Sequence, residues 1–286
     1  MKKLLLIDAN SLIHRCYHAL PPWTNTKGES THALYGLSSI LLKILRDHQP
    51  DYVAAAFDRS EPTFRDEMYK EYKAHRKAPE DSLVSQLIKA RDTFKAFGIF
   101  TSEKAGFEAD DIIATLAEKF RRGRDIKIII FSGDKDNLQL IDDDIVVVEL
   151  LRTGVSKTVI YNKSFFIQQY GFGPEQFVDY KSLIGDASDN IPGVKGIGPK
   201  GATDLIKEYP SLEGIYENIA LISKKVLKEK LEANKETAFL SKKLATMKRD
   251  VPLDISLEDL KQIQLDKEKL LAYFKELGFK SLVERL

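Results

Sequence analysis

The sequence predicts an α/β fold, a mostly parallel central sheet flanked by helices, joined to a second part that is all helical. Three observations carry this. Leu4–Ile7, Tyr52–Phe57 and Ile126–Phe131 are short continuous apolar runs, the pattern of strands buried on both faces. Amphipathic helical patterns at about 32–48, 82–97 and 109–121 lie between them, and this β-α-β-α order implies parallel strands with right-handed crossovers. Beyond about Val159 the pattern turns wholly helical.

Taken in order, Ile145–Val148 adds a further strand to the three runs. The stretch from about Ser60 to Pro79 breaks the rhythm, because Lys70, Lys73, Arg76 and Lys77 alternate with Phe64, Tyr69 and Tyr72 and no core-forming run is present. It is expected to project as a flexible loop or helical arch at about 60–80. In the second half, short helices at Ser164–Tyr170, Pro174–Leu183, Pro199–Glu208 and Leu212–Asn218 are punctuated by Gly and Pro. Lysine-rich helices follow at about 221–233 and 235–247. The expected division is 1–160 for the α/β domain and 161–286 for the helical subdomain.

With 43% hydrophobic and 30% charged residues, the 286-residue chain has the composition of a folded globular protein. No apolar run approaches the roughly 18 residues needed to cross a bilayer, so no membrane association is expected and the cytoplasm is the predicted compartment. The single cysteine, Cys16, has no partner for a disulfide or a cysteine zinc site and reads as a small buried hydrophobe.

Carboxylates recur where strands end: Asp8 after the first run, Asp58 after the second, Asp134 and Asp136 after the third. In an open α/β sheet these ends line one crevice, so acids distant in the chain converge. Glu108-Ala-Asp110-Asp111 opens the helix before the third strand; Glu108 and Asp111 share a face and Asp110 points elsewhere. Asp186-Ala-Ser-Asp189-Asn190 forms a turn at the entry to the helical part. Singly, Asp8 reads equally as a helix cap, Asp58 as a turn acid and Glu108 with Asp111 as helix N-terminal charge. Together, packed carboxylates repel unless a cation sits among them, and all-oxygen ligands favour Mg²⁺ or Mn²⁺ over Zn²⁺. Two such ions about 4 Å apart activate a water, hold a phosphate and stabilise the leaving oxygen.

These residues carry a recognisable series. Leu6-Ile-Asp8-Ala-Asn10, Ala56-Phe-Asp58, Thr63-Phe-Arg65, Tyr72-Lys73-Ala-His-Arg76, Glu108-Ala-Asp110-Asp111, Ser132-Gly-Asp134-Lys-Asp136 and Gly185-Asp186-Ala-Ser-Asp189-Asn-Ile-Pro-Gly193 resemble, in order and over nearly the whole chain, the 5′-to-3′ exonuclease domain of bacterial DNA polymerase I and the related flap endonucleases. The resemblance implies a structure-selective phosphodiesterase acting on DNA with 5′ flaps, nicks or free 5′ ends, able to remove RNA primers, in replication and repair. It implies two Mg²⁺ or Mn²⁺ ions, with Asp8, Asp58, Glu108 and Asp110 around the catalytic ion, Asp134, Asp136, Asp186 and Asp189 toward the second, and Asp111 among the metal-site acids. Lys73 and Arg76 would bind and polarise the scissile phosphate, Tyr72 would stack on a base, and Arg65 would contact DNA. A separately encoded DNA polymerase is the implied partner.

Gly193-Val-Lys195-Gly196-Ile-Gly198-Pro-Lys200-Gly201 places glycines and lysines before a helix start, where backbone amides approach phosphate closely. It resembles the family's helix-hairpin-helix type motif, which binds duplex phosphates without reading sequence and often holds a K⁺ ion on loop carbonyls. One departure is Gly201, where the polymerase domains commonly carry Thr. The net charge of +1 conceals a contrast: removing the nine metal-site acids leaves 34 acidic against 44 basic residues. An acidic pit in a basic surface suits a polyanionic substrate. Two other classes remain open on the residues alone, a non-catalytic module binding branched DNA and a magnesium-dependent phosphohydrolase of small substrates.

Overall fold

The computed structural model describes residues 1–122, 125–143, 145–152, 154, 156–262 and 265–286. Strand β1 (Lys2–Asp8) runs directly into helix α1 (Ala9–Ala19), followed by α2 (His32–His48), β2 (Tyr52–Ala56), α3 (Phe64–Met68), α4 (Asp81–Ala96), β3 (Phe100–Ser102), α5 (Ala109–Arg121) and β4 (Ile126–Ser132). A 3₁₀ turn (Lys135–Leu140) leads to β5 (Val146–Leu151) and β6 (Thr158–Tyr161). The remaining helices are α6 (Lys163–Tyr170), α7 (Phe177–Ile184), α8 (Pro199–Glu208), α9 (Leu212–Glu217), α10 (Lys225–Ala233), α11 (Lys235–Ala245), α12 (Lys267–Glu276) and α13 (Lys280–Val283).

The sheet has the order β3-β2-β1-β4-β5-β6, parallel except for β6, which pairs antiparallel with β5. After β1 the chain builds β2 and β3 on one side, then returns to add β4 and β5 on the other. The direction of winding therefore reverses between β1 and β4, and a crevice opens beyond their C-terminal ends. Register fixes what lies there. Ile7 is opposite Phe131, which brings Asp8 level with Ser132, and the Ser132 hydroxyl donates to Asp8 Oδ2 at 2.6 Å.

Alternate residues of each strand feed two apolar layers. Leu4, Leu6, Ala54, Ile128, Ile130 and Val148 pack with α5 and the helical second half, and Leu5, Ile7, Val53, Ala55, Phe131 and Val147 pack with α1, α2 and α4. The apolar runs read as doubly buried strands are thus buried on both faces.

The structure differs from expectation in three places. The change to helix does not begin at Val159, because β6 occupies Thr158–Tyr161 as an antiparallel edge. The end of the chain does not stay with the helical part: Leu270 and Phe274 of α12, with Phe279 and Leu282, join the layer under Leu5 and Ile7, and Lys261 bridges to Tyr52. The 161–286 division therefore separates segments that share a core. Finally, the 60–80 segment does not project freely. Tyr72 is buried against Ile191, Leu244 and Ala245, which lays residues 71–76 against the turn at 186–191.

Candidate metal and nucleic-acid site

Each strand-end acid is positioned by a bond that also serves the fold. Asp8 caps α1, its Oδ1 accepting from the Ser11 amide at 3.0 Å, so its structural and functional readings hold together. Asp58 Oδ1 accepts from the Ala109 amide at 2.7 Å, and the Asp58 amide donates to Asn10 Oδ1 at 3.2 Å. Asp134 caps the 3₁₀ turn through the Asp136 amide at 2.9 Å. Asp110, on the first turn of α5, accepts from Asn137 Nδ2 at 2.8 Å.

Asp8, Asp58, Asp110 and Asp134 face one another. Burial pushes the Asp8 carboxyl up to about 6 against the opposing bonds from Ser11 and Ser132, with Asp58 adding to the rise. Burial likewise raises Asp110 well above the usual carboxylate range, and Asp8, Asp134 and Asp58 reinforce it. Among the described residues no ion pair reaches any of these four carboxylates, nor do any three His, Cys, Asp or Glu side chains close into a finished metal cage. Such mutual repulsion without a protein cation fits a hard divalent ion, and the all-oxygen donor set agrees.

A second set of acids is neutralised from within. Lys181 of α7 bridges Asp136 and Asp186, the latter at 2.6 Å, and stays charged despite burial because both carboxylates raise it. The two acids respond oppositely. Asp136 is pushed up to about 7 by burial and by Asp134, which outweigh Lys181. Asp186 falls to about 2, because Lys181 and the Ser188 bonds overcome its burial. Glu108 accepts from Lys73 Nζ at 2.6 Å and from the Tyr72 hydroxyl at 3.2 Å. Asp189 pairs with Arg76 and accepts from the Tyr72 hydroxyl at 3.2 Å.

Three expected site residues are placed differently. Asp111 is fully buried, turned away from the pit and held by Arg65, whose Nη1 and Nη2 lie 2.7 and 2.9 Å from its oxygens. Arg65 is itself buried and spends its remaining donors on the Leu244 and Thr246 carbonyls and on Glu108, whose Oε2 lies 3.3 Å from Nη1, leaving none for DNA. Both fasten the 63–68 turn and α5 to the segment after α11. Tyr72 is too buried to stack on a base as it stands, and its hydroxyl bridges two acids instead. On α5, Asp110, not Glu108 with Asp111, is the acid that enters the carboxylate group.

Sequence reasoning passed over Lys181, Asn137 and His14, and gave no role to Asn10 and Ser132, which stand in its motifs. Lys181 left a trace, a lone cation within a mostly apolar helix five residues before Asp186. His14, one turn beyond Asn10 on α1, faces both Asp58 and Arg76; burial lowers its pKa, and His18 and Arg76 add to this.

The glycine loop has the geometry its sequence implies. Gly193 and Gly196 take φ of 65° and 82°, and a Cβ on Gly193 would run into the backbone of Gly185. Gly198 precedes α8, with Pro199 at its first position, and Lys195 and Lys200 are exposed. Gly201 has room for a larger residue, since an added Cβ meets only Ile197 Cγ2 at 3.6 Å. Lys230 of α10 donates to the Gly196 carbonyl at 3.0 Å. Lys242 is committed to Asp179 and Glu213.

Comparisons with known proteins bear on the family and fold. Residues 3–171 match the model of the 5′-3′ exonuclease N-terminal, resolvase-like domain, and residues 172–268 that of the 5′-3′ exonuclease C-terminal SAM fold. DNA polymerase I of Caldicellulosiruptor bescii is 45% identical over 99% of this chain and 33% of its own length. That of Bacillus subtilis is 43% identical over 100% of this chain and 32% of its own. The chain thus spans about a third of the length of these relatives. Among solved structures, phage T5 5′-exonuclease with bound divalent zinc ions is 25% identical, with a TM-score of 0.69 over 85% of this chain and 89% of that one. The catalytic core of Rad2 in complex with DNA substrate shares the fold at 16% identity, with a TM-score of 0.62 over 100% of this chain and 93% of that one. The chain belongs to the 5′-3′ exonuclease family.

Proposed function

We propose that this chain is a structure-selective 5′ nuclease that hydrolyses phosphodiester bonds in DNA with 5′ flaps, nicks or free 5′ ends, using two Mg²⁺ or Mn²⁺ ions. The observation that carries the reading is the group of Asp8, Asp58, Asp110 and Asp134, which no ion pair reaches among the described residues, at the point where the sheet reverses its winding. Divalent ions bound there supply an activated water and charge stabilisation at phosphorus. Asp8, Asp58, Asp110 and Asp134 would hold them, Glu108 and Asp189 would join once Lys73 and Arg76 turn to phosphate, and Asp136 and Asp186 would remain shared with the buried Lys181; Asp111, held by Arg65, is not counted in the set.

The chain's own groups do the rest. Lys73 and Arg76, parked on Glu108 and Asp189, are positioned to take the non-bridging oxygens of a scissile phosphate and stabilise the charge that develops there. The Gly193–Lys200 loop and the start of α8 offer amides and two lysines to duplex phosphates, without sequence readout. A K⁺ ion at this loop would share its carbonyls with bonds already made from Ile197, Ala202 and Lys230. The reading places the chain in cytoplasmic DNA replication and repair beside a DNA polymerase, with RNA primers among its substrates. A non-catalytic DNA-binding module is disfavoured, because four unpaired carboxylates beside a phosphate path would repel the ligand.

The test uses a 5′-flap duplex in Mg²⁺. Asp134→Ala and Asp136→Ala should each abolish cleavage while leaving duplex binding within about threefold of wild type, since binding rests on phosphate contacts elsewhere. Full activity in either variant removes the metal-site argument.

A further inference from the structure

We infer that Asn190 is a positioning residue for the phosphate-binding cations, locking the turn that carries Lys73 and Arg76 onto the turn that leads to the duplex-binding loop. The inference rests on the reading of Lys73 and Arg76 given above.

The receiving turn is firm. The Asp186 amide donates to the Ile191 carbonyl and the Ile191 amide to the Asp186 carbonyl, both at 2.8 Å. Gly193 then packs on Gly185, and the Val194 amide reaches the Leu183 carbonyl at 2.8 Å, so this turn is continuous with the Gly193–Lys200 loop.

Besides the contacts of Tyr72 and Arg76 with the Asp189 carboxylate, three bonds to main-chain oxygens tie the 71–76 turn to it. Asn190 Nδ2 donates to the Glu71 carbonyl at 2.6 Å, the Lys73 amide donates to the Asp189 carbonyl at 2.9 Å, and Arg76 Nε donates to the Ser188 carbonyl at 3.2 Å. All three end on main-chain oxygens. They leave the carboxylates free, so they can persist when those acids bind ions and when the ammonium of Lys73 turns to phosphate.

The clamp is required because the 71–76 turn is strained and poorly packed. Lys73 adopts φ of 53°, a left-handed conformation that a residue with a Cβ disfavours. Glu71, Ala74, His75 and Arg76 are exposed, and Tyr72 alone among residues 71–76 is buried. Asn190 is itself left-handed, with φ of 57°, which asparagine tolerates better than most residues. Its side chain thereby points at Glu71, on the N-terminal side of the strained lysine, while the Asp189 carbonyl holds Lys73 itself. Loss of the amide frees the turn to relax and withdraws Lys73 from the reacting phosphate, and displacements of about 1 Å at such groups are costly in rate.

Asn190→Gly keeps the left-handed backbone and deletes only the amide; Asn190→Asp keeps the shape and replaces the donor by an acceptor. On a 5′-flap substrate in Mg²⁺, both are expected to lower kcat roughly ten- to a hundredfold, with KM and duplex affinity within about twofold. Adding Asn190→Gly to Lys73→Ala should cost less than the two losses multiplied, because part of the Asn190 effect acts through the same ammonium. If Lys73→Ala cuts kcat and Asn190→Gly keeps it within twofold, or the two losses simply multiply, the positioning role of Asn190 is wrong. If Lys73→Ala itself leaves kcat unchanged, the phosphate-binding reading fails first and this inference fails with it.

Discussion

At the scale of single residues, Arg65 and Asp111 show how a motif residue can serve the scaffold. Both sit in the family's pattern of charged residues, yet they satisfy each other in a buried, two-pronged pair. Arg65→Ala leaves Asp111 without its partner in the interior and should cost about 3–5 kcal/mol in urea denaturation, with no selective loss of duplex affinity. A stability loss below about 1 kcal/mol with weakened DNA binding would return Arg65 to the DNA surface. Asp136 gives a prediction of opposite sign. Its folded pKa is raised to about 7, so its neutral form is favoured on folding, and the stability this contributes is full below about pH 4 and lost as pH rises through 7. In EDTA, Asp136→Asn should therefore gain stability relative to wild type as pH rises from about 4 to 8. Saturating Mg²⁺ should reverse the order, because only the carboxylate binds the ion. A gap that widens on acidification contradicts this assignment.

These residues also mark what the sequence could disclose. Asp8, Asp58, Asp134 and Asp136 were legible because a strand end fixes where an acid goes. Asp110 and Asp111 could be assigned to different faces, but which of them enters the pit was not legible, because the partners that decide it, Asn137 and Arg65, come from elsewhere in the chain. The burial of Tyr72 was equally hidden, since its pocket is made by Ile191, Leu244 and Ala245.

Among the elements, the long apolar runs and amphipathic helices declared themselves, whereas β3 and β6 did not. β3 has three residues and β6 four, too few for periodicity to register, and both are edge strands defined by pairing. The last helices were missed for a different reason: α12 is short and lysine-rich, and its meaning lies in where it docks. Phe274, fully buried against Phe97 and Phe279, tests that docking. Phe274→Ala should cost about 3–5 kcal/mol, measured by urea denaturation. A cost under 1 kcal/mol would mean that α12 is not part of the sheet's core. The Gly185–Gly193 contact makes a second element-level prediction. Gly193→Ala combines an unfavourable φ with a backbone clash and should lower both stability and duplex affinity, read by thermal melting and by DNA titration.

Across the whole molecule, a net charge of +1 hides a division of labour. Among the described residues, one group of acids is reached by no ion pair and repels itself, and another is held by Lys181, Lys73 and Arg76. The first calls for a divalent ion, and the second keeps phosphate-binding cations close to it. The winding reversal of the sheet brings Asp8 and Asp134 together, and the 186–191 turn joins this pit to the loop that would grip duplex. The measurement that tests the account most directly is cleavage of a 5′-labelled flap duplex by wild type and by Asp110→Asn, each in Mg²⁺ and in EDTA. Short 5′-labelled products should appear only for wild type in Mg²⁺, with Asp110→Asn slower by at least roughly a hundredfold at unchanged DNA binding. Cleavage that persists in EDTA, or that proceeds at the wild-type rate in Asp110→Asn, contradicts it.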